Sequence, residues 1–281
     1  MRPDDWHLTE NVDEFLARAG DFLHSRPALH TVTLTVTEAL RTRGPDAFGA
    51  GAPVFGWLEE EGEVRATFFR TPPAGLNLTP LTGEQADLLA VRLAGAGHVL
   101  PWAKAEEATA TVFARAWRRH AGVTPVLRER QRLYRLGPLT PPEPLPEGRV
   151  RWAGEGDVER LVRWNREFMI DVGEDGESVD ERRVGHRRYA FWETPDGTPV
   201  SMAGVNPLVA GQVRVGPVYT PARFRGRGYA GAVTAEVSRE ALAEGAKEVV
   251  LFADLANPTS NALYQRLGYV PVADFADYDF T

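Results

Sequence analysis

The sequence predicts an α/β protein built from two domains of similar size. Each is expected to be a mixed, mostly antiparallel sheet flanked by helices. Three observations carry this. The stretch "GPLTPPEPLPEG" from Gly137 to Gly148 holds five prolines and cannot sustain a helix or a central strand. After it, three strand-like runs lead into a strand–helix–strand–helix–strand rhythm, the order of a mixed sheet. Before it, a similar rhythm runs without an obvious repeat of sequence. At about 150 residues per domain, the 281 residues suit domains at 1–138 and 149–281, joined by a stiff linker at 139–148.

In the first half, "NVDEFLARAGDFLHS" sets Val12, Phe15, Leu16, Phe22 and Leu23 at helical spacing behind Asn11 as N-cap. "TVTLTVTEALRT" fits a helix or, by its Thr/Val alternation, a strand. "PVFGWLEEEGEVRATFFRT" reads as a hairpin around "EEEGE". "TGEQADLLAVRLAGAG" is a helix with Thr82 as cap and Gln85 at the capping-box position. "EEATATVFARAWRRHAG" is another helix, and "RQRLYRLGPL" a strand running into the linker.

In the second half, "DVERLVRWNREFMIDVG" is an amphipathic helix with a broad apolar stripe from Val158 to Met169. "RRYAFWETPDGTPVSMAGVNPLVAGQVRVGPVYT" holds three strands joined by a Pro-Asp-Gly turn and an Ala-Gly turn. "YAGAVTAEVSREALAEGA" is a helix, "KEVVLFADL" a strand, "NPTSNALYQRLGY" a short helix closed by Gly268, and "VPVADFADYDF" a last strand.

Composition narrows the chemistry. The chain has no Cys, which removes disulfides, thiolate zinc sites and cysteine nucleophiles. A net charge of −7 argues against general nucleic-acid affinity, which shows as an excess of Lys and Arg. The six His are unclustered, so no metal is expected. "MRPDDWHLTENVDEF" is too charged for a signal peptide, and no apolar run suits a bilayer. The expectation is a cytoplasmic protein.

Against that acidic background stands "ARFRGRGYAG", Ala222 to Gly231, between a strand ending near Val218 and a helix starting near Gly228. A helix N-terminus presents free N–H groups and positive dipole, and glycines let the backbone close on an anion. A diphosphate is the natural guest. Gly226, Gly228 and Gly231 match G-x-G-x-x-G, but the acidic residue a dinucleotide site needs about 20 residues on is missing, since Asp254 is too far along. No G-K-[ST] follows for a Walker A loop. An Arg-Gly nucleic-acid contact is a weaker reading, because this tract is a single copy between regular elements.

Arg223-x-x-Gly226-x-Gly228 resembles the R/Q-x-x-G-x-G/A motif of the GNAT superfamily of N-acetyltransferases. "DLANPTSNALYQRLGYVPV" resembles that superfamily's second motif, in which Asn and Tyr precede Leu-Gly-aromatic. The resemblance covers about Arg149 to Thr281. With "VGPVYTP" ahead of the loop, the whole chain looks like the two-domain acetyltransferases of high-GC bacteria. The first half is then a degenerate copy, since "RTPPAGLNLTPLTGEQADLL" holds no R-x-x-G-x-G and is not expected to hold coenzyme A in the usual way.

The resemblance implies acetyl-CoA as co-substrate and a primary amine of a small molecule or peptide as acceptor, handled by a monomer or a homodimer. It places the pantetheine arm along Val218, Tyr219 and Thr220, and the diphosphate on Arg223, Phe224, Arg225, Gly226, Arg227, Gly228, Tyr229 and Ala230. Asn257 and Asn261 would contact the arm. The Val218 N–H would polarise the thioester, and Tyr264 would return a proton to sulfur. Plainer roles compete: Tyr264 beside Leu263 and Leu267 suits a core, and Asn257 before Pro258 suits a cap. The general base is not legible in the sequence: Glu167 is named as a candidate, a water chain could also serve, and a solvated acidic surface is the plainer reading of each carboxylate. Glu167 shares a helix face with Asp171, while Glu174, Asp175, Glu177, Asp254 and the acidic tail are rivals. The acidic character suggests a cationic acceptor. The other functional class left open is a non-catalytic acyl-CoA sensor or interaction module.

Overall fold

The computed structural model describes residues 5–177 and 179–281, which divide into two compact units. The first runs to Leu133 and takes in Asp254–Ala256 and Val272–Thr281; the second holds Tyr134–Ala253 and Asn257–Pro271.

The first unit contains β1 (Trp6–Thr9), α1 (Val12–His24), α2 (Thr31–Arg43), β2 (Val54–Glu60), β3 (Glu63–Arg70), β4 (Leu76–Leu78), α3 (Gly83–Gly95), β5 (Trp102–Glu106), α4 (Glu107–Ala121) and most of β6 (Pro125–Leu136). Strands β1 to β4 pair antiparallel, and β4 joins β5 in parallel. Asn11 caps α1, its Oδ1 accepting from the N–H groups of Asp13 and Glu14 at 2.9 and 3.1 Å. The ambiguous Thr/Val segment is helix α2. Its threonines satisfy their hydroxyls inside the helix: Thr35 donates to Thr31 O at 2.8 Å and Thr37 to Thr33 O at 2.9 Å. Helices α3 and α4 bury Leu89, Leu93, Phe113 and Trp117 with Phe68 and Leu76 of the sheet.

The second unit contains β7 (Arg149–Trp152), α5 (Val158–Asp171), α6 (Glu181–Val184), β8 (Arg188–Glu193), β9 (Pro199–Val205), β10 (Gln212–Tyr219), α7 (Tyr229–Ala243), β11 (Glu248–Asp254), α8 (Pro258–Arg266) and the start of β12 (Tyr269–Phe280). Strands β7 to β10 form an antiparallel run, and β11 lies parallel to β10. The Ala-Gly turn ahead of β10 puts Ala210 and Gly211 at φ of 51° and 76°, the pair of positive values a tight hairpin turn requires. Helix α7 buries Ala232, Val233, Ala235 and Val237 in a core shared with Val213, Val215, Val249 and Leu251. The remainder of β12 belongs to the first unit, where Phe275–Asp279 pair antiparallel with Trp102–Glu106 of β5.

Chain order is the same in both halves: β, two helices, three strands, then helix, strand, helix, strand. The fold is the expected α/β mixed sheet, with eight helices among the described residues. Among the elements that escaped the sequence reading are β1, β4, β7 and α6, each four residues or fewer.

The proline-rich segment is held against the second unit. Gly137 N–H donates to Gly268 O at 2.9 Å, Thr140 N–H to Leu267 O at 3.0 Å, and the Trp192 indole to Glu147 O at 3.2 Å. Gly268 makes this docking possible: it has φ +95°, and a Cβ there would stand 2.0 Å from Pro138 O. Gly268→Ala is expected to cost on the order of 3 kcal/mol, seen as a fall of roughly 5–10 °C in Tm. Gly20→Ala, in α1 with open space at its Cβ, is the neutral control.

Candidate functional site

The candidate site begins where β10 leaves its neighbour. On one side β10 pairs with β9 as far as Tyr219↔Met202, with a register shift between Val215 and Val218. On the other, its pairing with β11 covers only Gln212↔Glu248 to Arg214↔Val250, although β10 runs on to Tyr219 and β11 to Asp254. Pro217 lies inside the shift and has no N–H to give to a ladder. Val218 and Tyr219 therefore lie beyond the last residue pair that joins β10 to β11.

Thr220 leads into one tight turn, in which Phe224 N–H donates to Pro221 O at 2.8 Å. Gly226 and Gly228 follow with φ of 75° and 81°, a region that glycine enters without strain. Among the described residues no side chain caps α7. The first N–H to find a helical carbonyl is that of Ala232, which donates to Gly228 O at 3.0 Å. The amides of Tyr229, Ala230 and Gly231 precede it and form the donor end of the helix. The matching helix of the first unit starts differently. There Thr82 Oγ1 accepts from Gln85 N–H at 3.2 Å, and Gln85 Oε1 accepts from Thr82 N–H at 3.0 Å, so α3 is closed by its own capping box.

The three arginines of the loop differ. Arg223 lies over the Phe224 ring, 4.5 Å from its centroid. Arg225 is turned back on the protein: its Nε donates to Thr220 O at 2.9 Å and its Nη2 pairs with Asp171 at the end of α5. Arg227 is exposed.

Helix α5 brings two predicted residues together. The Tyr219 hydroxyl donates to Glu167 Oε2 at 2.9 Å. Burial, and then the Glu167 carboxylate, push the Tyr219 phenol up to about 12. Asp171, one turn on, holds Arg225. Glu174 and Glu177 lie in the turn-rich segment after α5, where Asp175 accepts the Glu177 N–H at 2.8 Å. Asp254 turns the chain after β11, accepting from Ala256 N–H at 2.8 Å. The acidic tail is built into the first unit, where Asp277 pairs with Lys104 at 3.4 Å and with Arg128 at 3.1 Å.

The second motif is helix α8. Asn257 is its N-cap, accepting from Ser260 N–H at 3.0 Å. Asn261 donates to Asn257 O at 2.7 Å and accepts from the Tyr134 hydroxyl at 2.8 Å. Tyr134, at the end of β6, was missed by the sequence reading. A tyrosine alternating with arginines in a strand carries no sign of its distant partner. Tyr264 is 8% exposed and meets Tyr269 edge-on at 6.1 Å. Among the described residues its hydroxyl has no hydrogen-bond partner, and burial pushes its phenol up to about 12. Among those residues, too, no group of His, Asp or Glu is arranged to hold a metal ion, and no helix is long and apolar enough to cross a membrane.

Residues 157–269 match the model of the acetyltransferase (GNAT) family. No curated protein matches the chain significantly. Among solved structures, the chain is similar to a GCN5-related N-acetyltransferase from Kribbella flavida, at 19% identity and a TM-score of 0.57 over 90% of this chain and 95% of that one. A GCN5-related N-acetyltransferase from Sphaerobacter thermophilus gives 18% and 0.55 over 99% and 96%. A tandem GNAT protein from the clavulanic acid biosynthesis pathway gives 14% and 0.59 over 97% of each. At these identities the likeness is one of fold.

The buried phenol of Tyr264 has a consequence for stability. An unfolded phenol titrates at its ordinary value of 10.0 and the folded one at about 12. Stability that depends on the protonated form is therefore whole below pH 10 and lost as pH rises through 12. Tyr264→Phe should blunt the alkaline loss of unfolding free energy by on the order of 2–3 kcal/mol, measured by denaturant unfolding from pH 9 to 12.

Proposed function

From a chain whose residues 157–269 form a domain of the acetyltransferase (GNAT) family, we propose an acyl-CoA-dependent N-acyltransferase. It moves an acetyl group from acetyl-CoA directly to a primary amine of a small molecule or peptide. The observation that carries this reading is the pairing of an uncapped helix start, Gly228 to Gly231, with a strand that has just parted from β11. The first suits a diphosphate; the second offers backbone to an extended, amide-bearing arm.

In this reading the amides from Phe224 to Ala230 take the diphosphate, and Arg223 and Arg227 add positive charge around it. Arg225 acts differently from the sequence expectation, since its guanidinium is engaged by Asp171 and Thr220; it orders the loop. Val218 to Thr220 receive the arm, and the Val218 N–H polarises the thioester carbonyl. Glu167 takes a proton from the acceptor ammonium. The freed nitrogen lone pair attacks the carbonyl carbon, the C–S bond breaks, and sulfur takes a proton from Tyr264; the second proton, which the nitrogen sheds as the neutral amide forms, passes to solvent, and solvent restores the phenol. A phenol pushed up to about 12 by burial stays protonated until that step. Asn257 and Asn261 shape α8 around the arm while keeping their hydrogen bonds within the protein. Acidic groups near the α5 end favour a cationic acceptor. The reading includes a cytoplasmic setting. The capping box of α3 supports a first unit that holds no coenzyme A in this manner.

A second reading, an acyl-CoA sensor or interaction module, draws on one observation. The carboxylates nearest β10, Glu167 and Asp171, are both engaged by other side chains.

Thiol release from acetyl-CoA over a panel of primary amines tests the first reading. Turnover with at least one amine is expected, and Tyr264→Phe should lower kcat by about 100-fold or more while changing CoA affinity less than twofold. Tight CoA binding without turnover on any amine would favour the sensor. Calorimetry should give one CoA per chain; two would refute the reading of α3.

A further inference from the structure

Tyr219 is held from four directions. Its hydroxyl donates to Glu167 Oε2 at 2.9 Å, and its ring meets Trp164 edge-on at 6.1 Å. The Arg225 guanidinium lies 5.9 Å from the ring centroid. Its backbone oxygen accepts from Ser201 Oγ at 3.1 Å, and Ser201 is fully buried. The ring is thus fixed before any ligand arrives. Glu167 sits on the partly exposed side of α5, and its free side chain would sample several rotamers. The phenol selects one of them. It occupies a single lone-pair direction of Oε2, leaving Oε1 to face an incoming ammonium.

We propose that Tyr219 is a positioning residue for Glu167, so that the strand offered to the thioester arm also fixes the carboxylate that receives the amine proton. This rests on the reading of Glu167 as base given above. Tyr219 keeps its own proton throughout: one proton moves from ammonium to Glu167, the N–C bond forms, the C–S electron pair leaves with sulfur and is protonated there by Tyr264, and the nitrogen's second proton passes to solvent, which restores Tyr264. The charged groups that act on the pair are Asp171 from the same helix and Arg225 from the loop. Helix α6, packed on α5, carries Glu181, Arg182 and Arg183. Arg225 and Asp171 neutralise each other, and among the described residues the phenol is the side-chain donor that reaches Glu167. A residue that merely filled the core would act on stability, whereas a positioning residue acts on the proton step.

The test compares wild type, Tyr219→Phe, Glu167→Gln and the double variant, with acetyl-CoA and the best amine of the panel, as kcat and KM against pH. Tyr219→Phe should lower kcat about tenfold, the worth of one hydrogen bond to a charged group, with KM for acetyl-CoA within twofold. The double variant should be no slower than Glu167→Gln alone. A loss carried by KM for acetyl-CoA with kcat unchanged, or losses that multiply, would overturn the proposal even if Tm falls. If Glu167→Gln is slow while Tyr219→Phe behaves as wild type, only the positioning role falls. If Glu167→Gln keeps full rate and its acid limb, the base lies elsewhere and both fall together.

Discussion

The parting of β10 from β11 is the constraint on which the candidate site depends. Parallel strands are normally buried and paired along their length. Here the ladder covers three residue pairs, from Gln212↔Glu248 to Arg214↔Val250. The cause is local: a register shift between Val215 and Val218 and a proline within it re-aim the end of β10. Unpaired backbone in the middle of a sheet is costly unless something satisfies it. The protein holds the strand end through side chains instead. Ser201 takes the Tyr219 carbonyl, Glu167 takes the Tyr219 hydroxyl, and Arg225 takes the Thr220 carbonyl. The open edge is thereby kept rigid from the β9 and α5 sides while the β11 side stays available.

What could be read from the sequence follows the range of the interactions. The loop was legible because its signal is local: Gly226 and Gly228 sit one residue apart, and both do take positive φ. The capping box at Thr82 and the N-cap at Asn11 were legible for the same reason. The α2 segment could not be decided locally. Its alternating threonines carry a period-2 pattern, and only the helix lets each hydroxyl reach the carbonyl one turn back. The strands β1 and β4 are too short to show a period. The partners of Tyr219, Arg225 and Asn261 lie 52, 54 and 127 residues away, and no spacing rule reaches that far.

The same distance explains why side chains turned out busier than their motif positions suggested. Asn257 was legible both as a cap and as a contact for an extended arm, and the cap is what its Oδ1 makes. Asn261 ties α8 to Tyr134, and Arg225 ties the loop to α5. A motif fixes which residue types recur at a position. It does not say whether each works through its side chain or through the backbone it shapes. On the proposed reading this loop acts chiefly through its backbone, and one of its three guanidinium groups is committed to Asp171.

The two halves share one order of elements and differ at one helix start. In the first unit α3 is closed by the Thr82–Gln85 pair; in the second, α7 begins at Gly228 with no side-chain cap among the described residues. Magnitudes show why a protein can hold such an opening. Replacing a capping side chain with alanine costs about 1 kcal/mol, but with glycine only a few tenths, because water reaches the bare amides and glycine takes the left-handed turn without strain. An open helix end made of glycines therefore weakens the fold very little. A capped end gains almost nothing in return for losing its donors to an external anion. Thr82 and Gly228 are thus nearly equivalent for folding, and on the proposed reading only the glycine start leaves helix amides for an anion.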